Sequence, residues 1–253
     1  MHAQTRVSEI HMPRGQNLFL RAANRTAPGR ISPIGLITAL ALLMATGTAA
    51  AQDSANAAFE ALEGRLLEAE SVSFRFDIRA VGPVPAVLVG KAVIGPQETA
   101  RLAADGSFAG NEAAIRLESG DRGMAGGNGD AVFQAEAPSA LRQGLLVGLT
   151  RMGLLHNLAV LSAGSPPDRI DGSVTDWVRY SDMTLGPEES IGGVTARRFS
   201  FTVVVSGVPS AFAELWVDAT SGLPIRRVQV MNFPEGEMRV LEQYSDFSLA
   251  SGD

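Results

Sequence analysis

The sequence predicts an α+β fold: a curved antiparallel sheet of about nine to eleven strands, covered by an N-terminal helix and a central helical pair. Three observations predict it. Val72, Phe74, Phe76, Ile78 and Ala80 alternate with polar residues at period two, the mark of a half-buried strand. Strand-length segments closed by Gly/Pro turns recur at roughly 12-residue spacing on both sides of the chain's middle, as in antiparallel meanders. Between them lies one long leucine-rich stretch at helical spacing.

The chain opens with a leader. Arg21, Arg25 and Arg30 precede the apolar run 31–51, which closes on Ala49-Ala50-Ala51. A basic region, a short apolar core and an A-x-A site predict a secretory signal peptide over residues 1–51, cut after Ala51. The apolar core Ile34–Ala45 is short of the ~20 residues a spanning helix needs. Residues 52–253 are then one domain in the periplasm. Cysteine is absent from the chain, which excludes a lipobox, disulfides, thiolate metal sites and a cysteine nucleophile. Five of 21 basic residues and one of 27 acidic residues lie in the leader, so the rest carries a net charge of about −10. Without a basic cluster, nucleic acid is excluded as a partner.

Phe59, Leu62, Leu66 and Leu67 set one face of a helix over 55–70, with Asp53 or Ser54 as its cap. Strands follow at Ser71–Ala80, Ala86–Ile94, Thr99–Ala104 and Ala113–Glu118, with Asp105-Gly106 separating the last two. Ser119–Asp130 is glycine-rich and predicts a flexible loop; its Gly126–Asp130 only faintly resembles a calcium-binding repeat. Leu141, Leu145, Leu146, Leu149, Met152, Leu155, Leu158 and Leu161 form the helical pair, with a break near Gly153. Strands resume at Trp177–Tyr180, Arg197–Val205, Ser210–Val217, Ile225–Phe233 and Met238–Phe247. Asp218–Gly222 supplies a tight turn, with Gly222 free to take a positive φ and Pro224 at the next strand's start.

Little in the chain resembles catalytic machinery. His156 is the one histidine after the leader and sits in the apolar helical segment, as a core or lid residue. There is no Gly-x-Ser-x-Gly, and Gly90-Lys91-Ala92 lacks the spacing of a phosphate loop. Glu188-Glu189 and Glu235/Glu237 sit beside turn residues and read as solvated turns. No cofactor or metal is expected. What remains is apolar: Phe74, Phe76 and Ile78 on one strand face, opposed by Leu145, Leu149, Met152 and Leu155 of the helices. These seven residues are the candidate lining of an apolar cavity, and the helical glycines suit a lid.

The wording Leu215-Trp216-Val217-Asp218 … Ser221-Gly222-Leu223-Pro224-Ile225-Arg226, the segment Leu185–Val194 and the ending Glu242–Phe247 resemble bacterial cell-envelope proteins related to the outer-membrane lipoprotein carriers and lipoprotein-sorting proteins. The resemblance in wording covers about Leu185–Leu249. It implies a lipoprotein-localisation half-barrel and no individual functional residue. The function expected is therefore a periplasmic, non-enzymatic, monomeric binder or carrier of a lipid or lipoprotein acyl chain, held between the sheet and the helical lid. A second envelope protein is a further expected partner. The alternative is a cell-envelope interaction or stress-sensor domain without lipid cargo; an enzyme would need convergent polar groups in the cavity, with Arg151 and His156 the visible candidates.

Overall fold

The computed structural model describes residues 41–166 and 173–250. Most of the predicted leader lies outside these residues. Helix α1 (Ala41–Glu68) leads into strands β1 (Ser71–Val81), β2 (Ala86–Ile94), β3 (Ala100–Phe108), β4 (Asn111–Gly120), β5 (Gly123–Asn128) and β6 (Ala131–Ala135). A helical segment follows: α2 (Leu141–Val147), a π-turn over Gly148–Met152, α3 (Leu154–Ser162) and the short α4 (Val174–Trp177). The chain ends in β7 (Val178–Ile191), β8 (Val194–Val205), β9 (Val208–Asp218), β10 (Pro224–Phe233) and β11 (Gly236–Ala250). Among the described residues no helix is long and apolar enough to cross a membrane.

The eleven strands form one sheet in the order β6-β5-β4-β3-β2-β1-β11-β10-β9-β8-β7, with every neighbouring pair antiparallel. The chain thus starts at the sheet's centre, walks out to one edge at β6, and re-enters at the opposite edge as β7. The connection between those edges is the helical segment, so the topology itself carries α2–α4 across one face. β-bulges bend the sheet over them: in β1/β11 between Ser73 and Arg75, and twice in β7. Asp182 and Asp246 take positive φ at two of these places (56° and 51°), a conformation aspartate tolerates better than most residues. The predicted curved α+β half-barrel is the observed fold.

The face under the helices is apolar along the strands. Val72, Phe74, Phe76, Ile78 and Ala80 of β1 are all buried, and the period-two pattern continues into β2, β3 and β4. Phe59 of α1 is fully buried among the rings of Tyr180, Phe199 and Phe201, at centroid distances of 5.0, 5.4 and 5.2 Å. Edge and tilted ring pairs of this kind add to the area they bury.

Several expectations are corrected. α1 begins at Ala41, so Asp53 and Ser54 lie inside the helix and cap nothing; the alanine-rich run before them is itself helix-favouring. Ser119–Asp130 is not a flexible loop. It forms the β4–β5 hairpin, in which Asn128 Oδ1 accepts the Ala114 N–H at 2.8 Å. A Cβ on Gly127 would stand 2.1 Å from the Ala131 carbonyl oxygen, and one on Gly126 would meet the Phe133 ring at 3.0 Å. These glycines let strands and a ring approach closely; they do not loosen the chain. By the same reasoning Asp105-Gly106 lies within β3, where a Gly106 Cβ would strike the Val87 carbonyl oxygen at 2.0 Å. Glu188 and Glu189 belong to strand β7 rather than a turn. Gly222 takes φ +67°, as expected of its turn.

One contact fixes the sheet's middle. A Cβ on Gly90 would lie 2.1 Å from the Ala103 carbonyl oxygen and 2.4 Å from the Phe76 ring. Replacing Gly90 with Ala forces backbone and ring to move together and should cost about 1–3 kcal/mol, as overpacked cores do. Urea unfolding of G90A against the parent chain measures it; an unchanged midpoint would contradict this packing.

Candidate functional site

The helical segment reverses direction at Gly153, which takes φ +86° and ψ 156°. An L-residue resists that conformation, and the glycine is further constrained by its neighbours. A Cβ there would stand 2.9 Å from both Arg227 Nε and Glu242 Oε1. The reversal leaves the carbonyls ending the π-turn and the first N–H groups of α3 without helical partners, deep under the cover. Two strand residues meet them. Arg227 of β10 donates through Nη1 to the Thr150 carbonyl at 3.1 Å and through Nη2 to the Arg151 carbonyl at 2.7 Å. Glu242 of β11 accepts the Leu154 N–H at 3.0 Å and the Leu155 N–H at 2.8 Å. A cation thus sits at a helical C-terminus and a carboxylate at a helical N-terminus, each where the backbone dipoles favour it.

Arg227 and Glu242 are directly opposite each other in the β10–β11 register, and each is only 1% exposed. Gln229 Oε1 accepts a further bond from Arg227 Nη2, and the Tyr244 hydroxyl donates to Glu242 Oε2. Burial lowers the Arg227 pKa, while the Glu242 carboxylate acts to raise it. Burial first, and Glu242 second, push the Tyr244 hydroxyl well above its usual value.

A second buried polar group anchors the other side of the reversal. Glu63 of α1 takes Arg151 in a two-pronged pair, with Arg151 Nε to Glu63 Oε1 at 2.9 Å and Nη2 to Oε2 at 2.6 Å. Such fork-to-carboxylate geometry is among the stronger charge-assisted arrangements. Thr150 Oγ1 also donates to Glu63 at 2.7 Å, and Arg151 Nη1 donates to the Val178 carbonyl at 2.8 Å. Arg142, at the start of α2, reaches the carbonyls of Leu66, Leu67 and Ala69 at the end of α1.

Beside this latch is a small cavity of about 30 Å³. Met152, Leu155 and His156 wall it from the helical side, and Arg227, Gln229 and Glu242 wall it from the sheet. Met231 and Val240 complete the sheet side. Thirty cubic ångströms is room for about two water molecules, against the roughly 300 Å³ or more of common ligand pockets. All seven sequence-predicted lining residues are buried in a single core cluster. Met152 and Leu155 line the cavity. Phe74 packs instead with Phe76, Tyr244 and Phe247 (centroids 6.3, 5.8 and 4.9 Å), and the sheet wall of the cavity comes from β10 and β11. Ile78, Leu145 and Leu149 lie in the packed core.

Arg227, Gln229 and Glu242 are not among the seven lining residues that the sequence predicts. A parity signal was present: Glu242 and Tyr244 are in phase with the inward Met238 and Val240, and Arg227 and Gln229 with the inward Met231. Polar residues in phase with the buried face mark built polar contacts. The helical glycines separate by role. Gly153 is required by φ, and a Cβ on Gly148 would crowd the Asn157 side chain at 2.8 Å, whereas one on Gly144 meets nothing within 4 Å. Among the described residues no group of three or more His, Asp or Glu side chains is placed to hold a metal.

No family model and no curated protein matches the chain. Among solved structures it is similar to a LolA superfamily protein from Nitrosomonas europaea, at 13% identity and TM-score 0.32, covering 79% of this chain and 94% of that one. A domain described as outer membrane lipoprotein-sorting from Vibrio parahaemolyticus aligns at 9% identity and TM-score 0.33, with 79% and 94% of the two chains covered. The MucA/MucB complex of Pseudomonas aeruginosa aligns at 16% identity and TM-score 0.36, over 78% of this chain and 58% of that chain.

Two expected outcomes test the latch. Glu242→Gln keeps one acceptor for the two α3 N–H groups and leaves the Arg227 cation uncompensated, so it should destabilise by about 2–4 kcal/mol. Arg227→Met should cost a similar amount, and the double variant less than the two together, with a coupling of about 1–3 kcal/mol in a double-mutant cycle read by urea unfolding. Strict additivity would mean the two residues act independently. His156, half-buried against the Trp177 ring at 5.7 Å, is the pH-sensitive group of the cavity wall. Burial pushes its imidazole down to about 4 from 6.5. The unfolded chain therefore binds more protons between these values, so its contribution is complete above pH 6.5 and is lost as pH falls toward 4. The loss should be on the order of 1–2 kcal/mol, because the ring retains partial access to solvent. Unfolding of H156N should lack that slope.

Proposed function

We propose that residues 52–253 form a periplasmic binder or carrier of a lipid or lipoprotein acyl chain, which enters between the concave sheet face and the α2–α3 segment acting as a lid. The observation that carries this reading is the contrast between cover and fastening. The cover presents Leu145, Leu146, Leu149, Leu154 and Leu158 to an apolar sheet, yet its central reversal is fixed to that sheet by polar bonds at Gly153. Hydrocarbon sliding under the lid replaces like with like. About ten buried methylenes would contribute roughly 8 kcal/mol, enough to offset the loss of latch bonds that contribute about 1–3 kcal/mol each. The π-turn over Gly148–Met152 adds a segment of irregular helix of the sort found at functional sites. Sequestration and transfer need no covalent chemistry, and the resemblance of the late hairpin to lipoprotein-sorting proteins agrees with that.

A second reading is an envelope interaction domain without cargo. The observation favouring it is the small size of the cavity beside the latch, about 30 Å³, far less than an acyl chain. It requires a protein partner in place of a lipid.

Native mass spectrometry of the protein purified from bacterial periplasm without detergent, with an organic extract alongside, separates the two. Carriage predicts a co-purified mass that extracts as a phospholipid, glycolipid or acyl peptide. A clean apo mass that also takes up no fluorescent fatty acid would transfer the case to the interaction domain. Leu149, 1% exposed in the lid, gives the matching variant: Leu149→Asp in a chain that still folds should abolish lipid retention.

A further inference from the structure

The reading above places hydrocarbon under the lid and leaves the polar end of that lipid without a seat. The cavity beside the latch has the chemistry for one. Its donors outnumber its acceptors. Gln229 lines the cavity, and its Oε1 already accepts from Arg227, which fixes the amide orientation and turns its Nε2 hydrogens away from that guanidinium. Arg227 uses Nη1 and Nη2 on the Thr150 and Arg151 carbonyls, while its Nε–H has no hydrogen-bond acceptor although the residue is 1% exposed. Both Glu242 oxygens are engaged, by the N–H groups of Leu154 and Leu155 and by the Tyr244 hydroxyl. A buried, unmet donor is costly, so the site favours a group that accepts hydrogen bonds.

Charge narrows that group. Arg227 Nε and Glu242 Oε1 each lie 2.9 Å from one point, the Cβ position of Gly153, and so are within about 6 Å of each other. The corner is a balanced pair of opposite charges, and a free carboxylate entering it would be brought up against Glu242. A neutral carbonyl oxygen takes the surplus N–H groups without that repulsion. The other walls are His156 and the apolar Met152, Leu155, Met231 and Val240, so a carbonyl seated here is bonded on one side and continues along the apolar walls into hydrocarbon. That describes the junction of an acyl ester or acyl amide.

We infer that the Arg227–Gln229 corner seats the neutral carbonyl of an acyl ester or acyl amide, and that the protein selects such lipids over the free fatty acid of the same chain length. The inference rests on the carrier reading above. Competition for a bound fluorescent acyl probe tests it, using 1-lauroylglycerol, N-lauroylglycinamide and laurate at pH 7.5 on the protein purified from periplasm. Ester and amide should each bind at least tenfold more tightly than laurate, and in Gln229→Leu that ratio should collapse toward one. Laurate binding as tightly as the ester in the parent protein would overturn the inference and leave the carrier reading standing. A ratio untouched in a folded Q229L would remove Gln229 from the seat and overturn the assignment. Failure of the fluorescent probe and of all three competitors to bind would overturn the carrier reading and this inference with it.

Discussion

The helical layer depends on how a buried chain reversal is satisfied at Gly153. Turning a helix inside a protein exposes carbonyls at one end and N–H groups at the other to a region without bulk water, and each unmet group costs on the order of 1–3 kcal/mol. The sheet answers with two directly opposed residues of neighbouring strands, Arg227 and Glu242, each supplying the sign of charge that its helix end favours. Because the pair is set by strand register, a one-residue slip of β10 against β11 would turn Arg227 to the convex face and leave Glu242 and half of the reversal unsupported. Register in the sheet and position of the cover are therefore one constraint.

Topology explains why the cover exists. A chain that leaves the sheet at β6 and returns at β7 must travel from edge to edge, and the apolar concave face is the surface it crosses. The same polar logic repeats at its other fastenings. Arg142 collects the last carbonyls of α1, and Arg151 joins Glu63 while reaching the carbonyl of Val178 at the head of β7. Three arginines, with Glu63 and Glu242, thus fix a layer whose other contacts are mostly apolar, which hold firmly but carry little positional information. Cover and sheet combine a smooth apolar interface with a few directional bonds that fix where the cover sits.

Much of the fold was legible because alternation and turn chemistry are local properties. Val72–Ala80 announced its strand, and the Gly222 turn and the Gly153 break stood in the sequence as glycines where glycine was needed. Gly106, Gly126 and Gly127 misled for a physical reason: glycine serves loops, and it equally serves strands where another backbone or ring comes too close for a Cβ. The polar latch stayed hidden because Arg227, Gln229 and Glu242 look like solvent-facing strand residues until their parity with Met231 and Val240 is followed. Parity tells which face a residue occupies; only the structure supplies the helix ends that make a charge on that face worthwhile.

The pairing of Ser71 with Ala250 brings the first and last strands together at the middle of the sheet. The two wings, β1–β6 and β7–β11, are each a run of neighbouring hairpins that can assemble from short-range contacts, but the seam between them joins residues at opposite ends of the domain. A ribosome or a membrane channel delivers a chain from its N-terminus, so β11 is the final strand to arrive. Until it does, β1 presents a bare edge and the concave face is held by one wing alone. The domain is then a clasp that shuts only when its last fifteen-residue strand is delivered. Its folding rate is governed by that long-range closure more than by the wings, and the half-built sheet has the exposed edge that invites pairing with other chains.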